Sequence, residues 1–548
     1  MIRSFPFLRL VLIATFVYQT NFSKDVHADH VHHEPLTGVT FNKDIAPVIH
    51  EKCTSCHRPG QAGPFSLINF KDVSRRAKTI EAVIESGYMP PWKPVNENVA
   101  FHNDRRLSAD QKQLFKQWIE NGKPEGDGPS PTPPAFVDGW QLGKPDLVVT
   151  MNGRFEVPAD GPDVYRSFVF PIQLPEDRWI KAIEYRPTAT ASVHHAIFFV
   201  DQTGHARAID GSDGKPGIEG MSFLSPTGIP NRETHRAGRR GLFSRNQNGQ
   251  TEEPSASVFS RGLGGYVPGT TPTKLPGDLA LHLPKQSDVV MQTHFHPSGR
   301  TEFEAGRIAL YFADKAPSKQ IVPIQIPAMF GVGVGLKVPA GEANYQVTES
   351  YTTPVDIRSI SIGAHAHYIC KSAKMTARLP NGETNVLMEI DDWDLDWQDR
   401  YFFKHALVLP KGTTLTSELI YDNTDNNPEN PNSPPVEIRW GRESGDEMGS
   451  VTIQAIAVNE SERPQLQASL RKYYAASISQ GDLVDLLMQL DTNRDGGLQP
   501  TEMPARLAGR FKFFDRDRSG AVEPNELELV KKVMQGFLKA NRSSGRFK

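Results

Sequence analysis

Val451-Thr452-Ile453-Gln454-Ala455-Ile456-Ala457-Val458 is an apolar, β-branched run with Thr452 and Gln454 set two apart, and Asn459 closes it. Such alternation places Val451, Ile453 and Ala455 on one face of a strand, with the two polar side chains on the other. Working outward, Thr413-Thr414-Leu415-Thr416-Ser417-Glu418-Leu419-Ile420-Tyr421 alternates in the same way, and Arg166-Ser167-Phe168-Val169-Phe170 is a shorter run stopped by Pro171. Runs of this kind, separated by Gly, Pro and Asn, continue from residue 146 to 460. The pattern predicts two antiparallel β-sandwiches, 146–312 and 313–460. No repeat of fixed period stands out. The chain is therefore expected to be multidomain and mainly β, with α-helical blocks at both ends.

Size and composition agree. At 548 residues the length suggests about three or four domains. Pro and Gly are both abundant, 43 and 44, which favours turn-rich β structure over helix bundles. A net charge of −3 without a concentrated basic block argues against nucleic acid or an anionic membrane as the main partner. Near the N-terminus, Arg3 and Arg9 precede a short apolar run from Leu10 to Tyr18, and Val26-His27-Ala28 offers a cleavage site. Residues 1–28 thus read as a signal peptide, so the protein is expected to be exported, periplasmic or extracellular. The competing reading is an uncleaved anchor. No later segment is long and apolar enough to span a bilayer, so no membrane span is expected in the mature chain.

Cys53-Thr54-Ser55-Cys56-His57 names a cofactor. The C-x-x-C-H spacing lets Cys53 and Cys56 form thioethers with one haem while His57 offers an imidazole to the iron. Met89, in Gly87-Tyr88-Met89-Pro90-Pro91-Trp92, is the candidate second axial ligand, on a loop that prolines hold extended. A zinc knuckle would want more cysteines, and only Cys370 remains among the 3 in the chain. A redox dithiol would not need the histidine. Leu107 to Ile119 carries a Ser cap followed by a helical apolar stripe. Residues 39–128 resemble a class I c-type cytochrome, and residues 129–145 read as a stiff Pro-rich linker.

The histidines of the central block fall in three groups: His194-His195, His294 with His296, and His365-Ala366-His367. On a strand His365 and His367 share a face, so both can grip one metal. His194 and His195 can do so only where a strand is bulged, twisted or ending. One such pair is commonly chance or core packing; three groups, in a chain with 17 histidines, point to metal. Imidazole joined by a soft thioether favours copper. The remaining histidines fit plainer roles. His282 and His405 read as structural or surface residues. His27, His30, His32 and His33 read as a solvated tail, with loose copper loading as the alternative.

Ser192-Val193-His194-His195-Ala196, Val290-Met291-Gln292-Thr293-His294, Gly363-Ala364-His365-Ala366-His367 and Gly445-Asp446-Glu447-Met448 occur in that order. Together they resemble the ligand segments of the copper type II, ascorbate-dependent monooxygenases, the peptidylglycine and dopamine monooxygenase family. The resemblance implies two mononuclear coppers across a solvent-filled cleft. His194, His195 and His294 would hold the one that stores and relays an electron. His365, His367 and Met448 would hold the catalytic one, where dioxygen is activated and a C–H bond hydroxylated. His296 competes with His294 for the first site, and the Gln-x-His context favours His294. Gln292 would tune that site from outside the ligand set. The resemblance also implies a small-molecule or peptide substrate and an electron donor, ascorbate or a redox protein. Two departures matter. The animal members are rich in disulfides, which this chain cannot form. No counterpart is found for residues that anchor a peptide carboxylate or a catecholamine.

The last block, 480–548, repeats a calcium-loop register. Asp491, Asn493, Asp495, Gly496 and Glu502 fall at loop positions 1, 3, 5, 6 and 12, and Asp515, Asp517, Ser519, Gly520 and Glu526 repeat them. Leu498 and Val522 at position 8 suit a short strand pairing the loops. Calcium on an EF-hand pair is expected. The favoured function is a copper monooxygenase fed electrons by its own haem domain. The alternatives are a non-catalytic copper and haem electron-transfer or copper-handling protein, and a calcium-dependent scaffold.

Overall fold

The computed structural model describes residues 38–528 apart from 62, 138, 203, 221–261, 271, 333, 442–443, 481–482, 489–490, 492–494, 501 and 504–510. The expected signal peptide, the histidines before residue 38 and Asn493 lie outside the described residues. The chain is mainly β, with several antiparallel sheets and few helices.

Short helices come first: α1 (Ala46–Lys52), α2 (Phe70–Arg75), α3 (Ala77–Glu85) and α4 (Ala109–Glu120). They close around Phe41, Ile45, Ile49, Phe115 and Trp118. Ser108 caps α4 through a reciprocal bond with Gln111, so two end amides are satisfied without water.

The first β unit runs through β1 (Leu147–Thr150), β2 (Phe155–Val157), β3 (Val164–Pro171), β4 (Arg178–Arg186) and β5 (Val193–Asp201). After α5 (His205–Ile209) it continues through β6 (Ile218–Glu219), β7 (Gly262–Tyr266), β8 (Leu281–Leu283), β9 (Asp288–Phe295), β10 (Glu302–Glu304) and β11 (Arg307–Phe312). One sheet has the order β1-β11-β4-β8 and the other β6-β3-β9-β5-β7. They share a core: Ile180, Ile308 and Leu310 from one meet Phe168, Phe198, Met291 and Phe295 from the other. Each such side chain contributes about 1.5–3 kcal/mol by leaving water. Strand β9 is buried on both faces, because Val290 on its outer side packs with Ala206 and Ile218.

The second unit contains β12 (Val322–Ile326), β13 (Lys337–Val338), β14 (Tyr345–Thr352), β15 (Ile357–Ala366) and β16 (Cys370–Arg378). Then come β17 (Thr384–Ile390), β18 (Tyr401–Leu409), β19 (Thr414–Tyr421), β20 (Ile438–Arg439) and β21 (Gly449–Ala457). Its main sheets are β12-β21-β15-β18 and β14-β19-β16-β17. Strand β19 buries every second residue, as its alternation predicts, and β21 is buried almost throughout. Cys370 is a buried core residue, and burial pushes its thiol well above the ordinary value. Helix α6 (Arg463–Gln480) follows, with Leu466 and Leu470 in the same core.

Two connections bind the blocks together. Between α3 and α4 the chain leaves its own helices and crosses to the second unit. Phe101 stacks on Phe403 with centroids 5.4 Å apart, and Trp92 meets Tyr401 edge-on at 5.1 Å. Backbone bonds Val95 N to Glu389 O and Lys404 N to Ala100 O reinforce it. The Pro-rich stretch, in turn, is pinned at its end, where Gln141 N and Leu142 N donate to the buried Glu184 carboxylate. No helix among the described residues is long and apolar enough to cross a membrane.

Candidate metal centres

Strands β5 and β9 build the first cluster. His195 stands opposite His294, and the register slips between Val193 and His195, so His194 is an extra residue in its strand. That bulge turns two consecutive imidazoles to one side. One ligand atom from each of His194, His195 and His294 lies within 4.8 Å of the others. The rings are held from outside: His294 Nε2 donates to Asp163 Oδ2 at 2.7 Å, and His194 Nε2 meets Asp396 Oδ1 at 3.2 Å. Nδ1 of His294 faces Nδ1 of His195 at 3.4 Å, and Nδ1 of His194 is buried with no hydrogen-bond partner. A buried, orphaned ring nitrogen is costly unless something binds it. A metal ion about 2 Å from each nitrogen would need only a small closing of the set.

Electrostatics prepares the ligating form. Burial holds His195 well below the ordinary imidazole value, with His294 and His194 adding to it. Burial also lowers His294, against the opposing pull of Asp163. Both rings are thus neutral near pH 7, as a metal ligand must be. Burial pushes the Asp163 carboxyl up, but hydrogen bonds from His294, His296 and Tyr368 outweigh it and hold the group well below the carboxylate range. His296 is 68% exposed and donates to Asp163, outside the three-histidine set. Tyr165 stacks flat on His294 at 4.4 Å. Gln292, two residues before His294, is buried on the same strand face.

The second cluster stands where β15 meets β21. Their register sets His365 against Ser450 and Ala366 against Gly449, where the ladder ends; His367 and Met448 are the residues that follow it on the two strands, and Met448 is buried with the hydrophobic core of the second unit. The two rings lie 5.3 Å apart at 89°. His365 Nδ1 is bound to Gln398 Oε1 at 2.5 Å, and His367 Nδ1 to Asp446 O at 3.1 Å. These anchors direct the Nε2 side of each ring away from those partners. Burial brings His365 down to about 4. Phe330 caps His365 at 5.0 Å from a left-handed backbone, φ 56°, preceded by Met329 at φ 50°. Strained non-glycine residues of this kind concentrate at functional sites. Gly449 has no room for a side chain, since a Cβ would strike the Tyr421 hydroxyl, which donates to Met448 O.

Glu447 fixes this corner. Its buried carboxylate accepts from the backbone N–H groups of His367 at 2.6 Å, Met448 at 2.8 Å and Ile369 at 3.2 Å. Burial raises it to about 8, although those amides pull the other way. Glu447→Ala would strand three buried donors, so it should cost about 3 kcal/mol or more even in metal-free protein. Urea unfolding of chelator-treated protein measures this; a cost below about 1 kcal/mol would remove Glu447 as the organiser of the corner.

The two clusters are neighbours. A single turn of the second unit, Leu395–Trp397, presents Asp396 to His194, and Gln398 just after it binds His365. Tyr368, next to His367, donates to Asp163 at 3.0 Å. Nothing local marks Asp163, Asp396, Gln398 or Tyr368 in the sequence, and Glu447 stands out there only as part of the Gly445-to-Met448 segment.

In the N-terminal helices, α1 runs into the C-x-x-C-H segment. The N–H groups of Cys56 and His57 return to Cys53 O at 3.2 and 2.9 Å. His57 Nδ1 donates to Phe65 O at 3.1 Å, which leaves Nε2 as the nitrogen for an axial bond. Burial lowers His57 and raises the Cys53 thiol to about 12. Met89 is half-buried in the loop after α3, its N–H on Val83 O. Cys53, Cys56 and His57 Nε2 are the groups a covalent haem would use.

In the C-terminal block, Leu498 and Val522 exchange backbone bonds at 3.0 and 2.9 Å and pair the two loops. Asp515, Asp517 and Glu526 offer oxygens within 4.8 Å of one another. Oδ1 of Asp491 and of Asp515 are buried without a hydrogen-bond partner, as cation ligands would be. Gly496 and Gly520, at φ 89° and 94°, make the sharp turns and donate to Asp491 and Asp515. Ser519 Oγ bonds Ala521 O and Glu523. Calcium at 100 times its Kd should stabilise this block by about 2.7 kcal/mol. Glu526→Gln should weaken binding about tenfold or more, because ligand charge sets affinity. Titration calorimetry and melting with and without chelator check both.

Residues 483–503 and 507–531 match the EF hand family. No curated protein matches the chain. Among solved structures, PNGF-II is similar at 9% identity and a TM-score of 0.25, over 57% of this chain and 65% of its own. The chain thus spans less than two thirds of that protein's length. The major capsid protein P2 from bacteriophage PM2 is similar at 11% identity and a TM-score of 0.20, over 57% and 97%. Likenesses this loose say nothing about function.

Proposed function

We propose that this chain is an exported copper-dependent monooxygenase that hydroxylates an activated C–H bond with dioxygen and receives electrons through its own c-type haem. The observation that carries this reading is the adjacency of two histidine sets joined by one turn, His194, His195 and His294 on one side and His365 with His367 on the other; Met448 is added to the second by the resemblance. Copper, when bound, supplies dioxygen activation and one-electron storage, and haem supplies a further one-electron store. The overall balance is RH + O2 + 2 e− + 2 H+ → ROH + H2O.

The residues of the chain divide the labour. Asp163 and Asp396 fix the rings of the all-nitrogen set, and burial keeps its imidazoles neutral. Gln398 and the Asp446 carbonyl turn the second pair of rings, while Glu447 holds Met448, whose soft sulfur favours the reduced metal. His57 and Met89 would be the axial ligands of the haem, with Cys53 and Cys56 its covalent anchors. The leader-like sequence of residues 1–28 and the C-x-x-C-H motif support a periplasmic or extracellular site, where calcium would hold the EF-hand pair.

The test is a hydroxylation screen on copper-loaded protein with ascorbate or a redox protein as donor, read as the gain of one oxygen atom by mass. Oxygen uptake that no substrate stimulates, with both sites occupied, would leave an electron-transfer protein instead.

A further inference from the structure

Glu349, on β14, is a junction that neither histidine set uses. Its carboxylate accepts from three directions: the Tyr473 hydroxyl and Ser477 Oγ of α6, each at 2.8 Å, and the backbone N–H of Ala328 at 3.4 Å. Close by, Gln325 N donates to the Tyr474 hydroxyl at 3.4 Å, and Tyr473 lies against Tyr351 at 5.3 Å. Ser477 is buried. Helix α6 is thus fastened to the turn that follows β12.

That turn, Ala328–Gly331, is the strained one. Met329 and Phe330 are both left-handed, and Phe330 is the residue that caps His365. Two consecutive non-glycine residues in that region persist only where their surroundings hold them. Trp440 Nε1 donates to Phe330 O at 3.0 Å on one side, and Glu349 takes the Ala328 N–H on the other. One of these restraints therefore comes from a carboxylate whose remaining partners stand on α6.

The far end of α6 leads to the calcium loops. It ends at Gln480, and α7 (Leu483–Met488) opens the region that matches the EF hand. Leu483 is six positions after Ser477, and Asp491, which opens the first loop, is three positions after Met488. Without an ion, carboxylates as close as those of Asp515, Asp517 and Glu526 repel one another; a bound cation draws them together and orders the helices that flank the loops.

We propose that the EF-hand pair is a calcium-operated brace on the second histidine pair. With calcium bound, α6 is held against Glu349 and Phe330 stays over His365. Without it, the end of α6 loosens, the strained turn relaxes and Phe330 withdraws. The strained turn is the element with two arrangements, and ordering of the helix end selects between them. The coupling needs calcium at the EF-hand pair but neither copper nor haem.

Hydrogen exchange of the full chain, read by peptide mass, tests it. The reporters are the N–H groups of Val332, Val334 and Gly335, which bond to the carbonyls of Met329, Gly331 and Val332. Removing calcium with a chelator should speed their exchange about tenfold or more, and added calcium should restore protection. Tyr473→Phe combined with Ser477→Ala should exchange at the calcium-free rate even with calcium bound. By linkage the same variant should bind calcium about fivefold or more weakly in titration calorimetry, although both side chains lie on α6, outside the loops. Glu526→Gln, which acts on a loop alone, should move the onset of protection to higher calcium and leave the rate at saturation unchanged.

Equal exchange with and without calcium, in wild-type protein whose loops bind the ion, would overturn the brace. So would a chain that binds no calcium, or a double variant that responds as the wild type does. Should the double variant fold poorly, Tyr473→Phe alone should show a smaller change of the same sign, and an unaltered response there would overturn the brace equally. Hydroxylation is read separately, on copper-loaded protein, so the brace and the monooxygenase reading fail independently.

Discussion

Met448→Ala is expected to lower hydroxylation by about 100-fold or more while one copper per chain stays bound at full affinity. Even the outer partners of a metal ligand typically cost about 10–100-fold when removed, and Met448 is proposed as a ligand itself. It is buried in the hydrophobic core next to the end of the β15–β21 ladder, so its loss also leaves a void there. Copper content and Cu(I) affinity, measured alongside product, separate a lost ligand from a misfolded chain. Full hydroxylation by the variant would take Met448 out of the mechanism.

Asp163→Ala should weaken copper at the three-histidine set by about 10–100-fold, with little change at the His365, His367 and Met448 set. The carboxylate accepts from His294 Nε2, fixing which nitrogen faces inward, and also from His296 and Tyr368. Asp163→Asn keeps an acceptor and should recover part of the loss. Metal titration of the two variants against His296→Ala distinguishes the inner ring from the exposed one. If removing Asp163 leaves affinity unchanged, the carboxylate is a surface partner only.

Much of the scaffold was legible because its signal is local. Alternation in 413–421 and 451–458 corresponds to β19 and β21, and the Ser108 cap and Gln111 announce α4. The histidines were legible as groups, since imidazoles two apart, or adjacent at a bulge, are uncommon without a reason. What surrounds them was not. Asp163 lies 131 positions from its partner His294 and Tyr368 lies 205 from Asp163, and both are ordinary loop or strand-end residues with no periodicity to mark them. Asp396 and Gln398 acquire meaning only when the second unit is laid against the first. Val99 and Phe101 were counted with the N-terminal helices, yet they fill the core of the second unit. A two-residue contact across 300 positions leaves no trace in a hydrophobic pattern.

That crossing has a consequence for how the molecule comes apart. A single cut by a protease in the exposed 129–137 stretch severs the obvious thread between the N-terminal helices and the rest. The fragments should nevertheless migrate as one species on a native gel and separate only in denaturant, because Trp92, Val99 and Phe101 remain embedded in the other piece. The segment that reads as a connector is the dispensable one, and the rivet lies inside what reads as an independent domain.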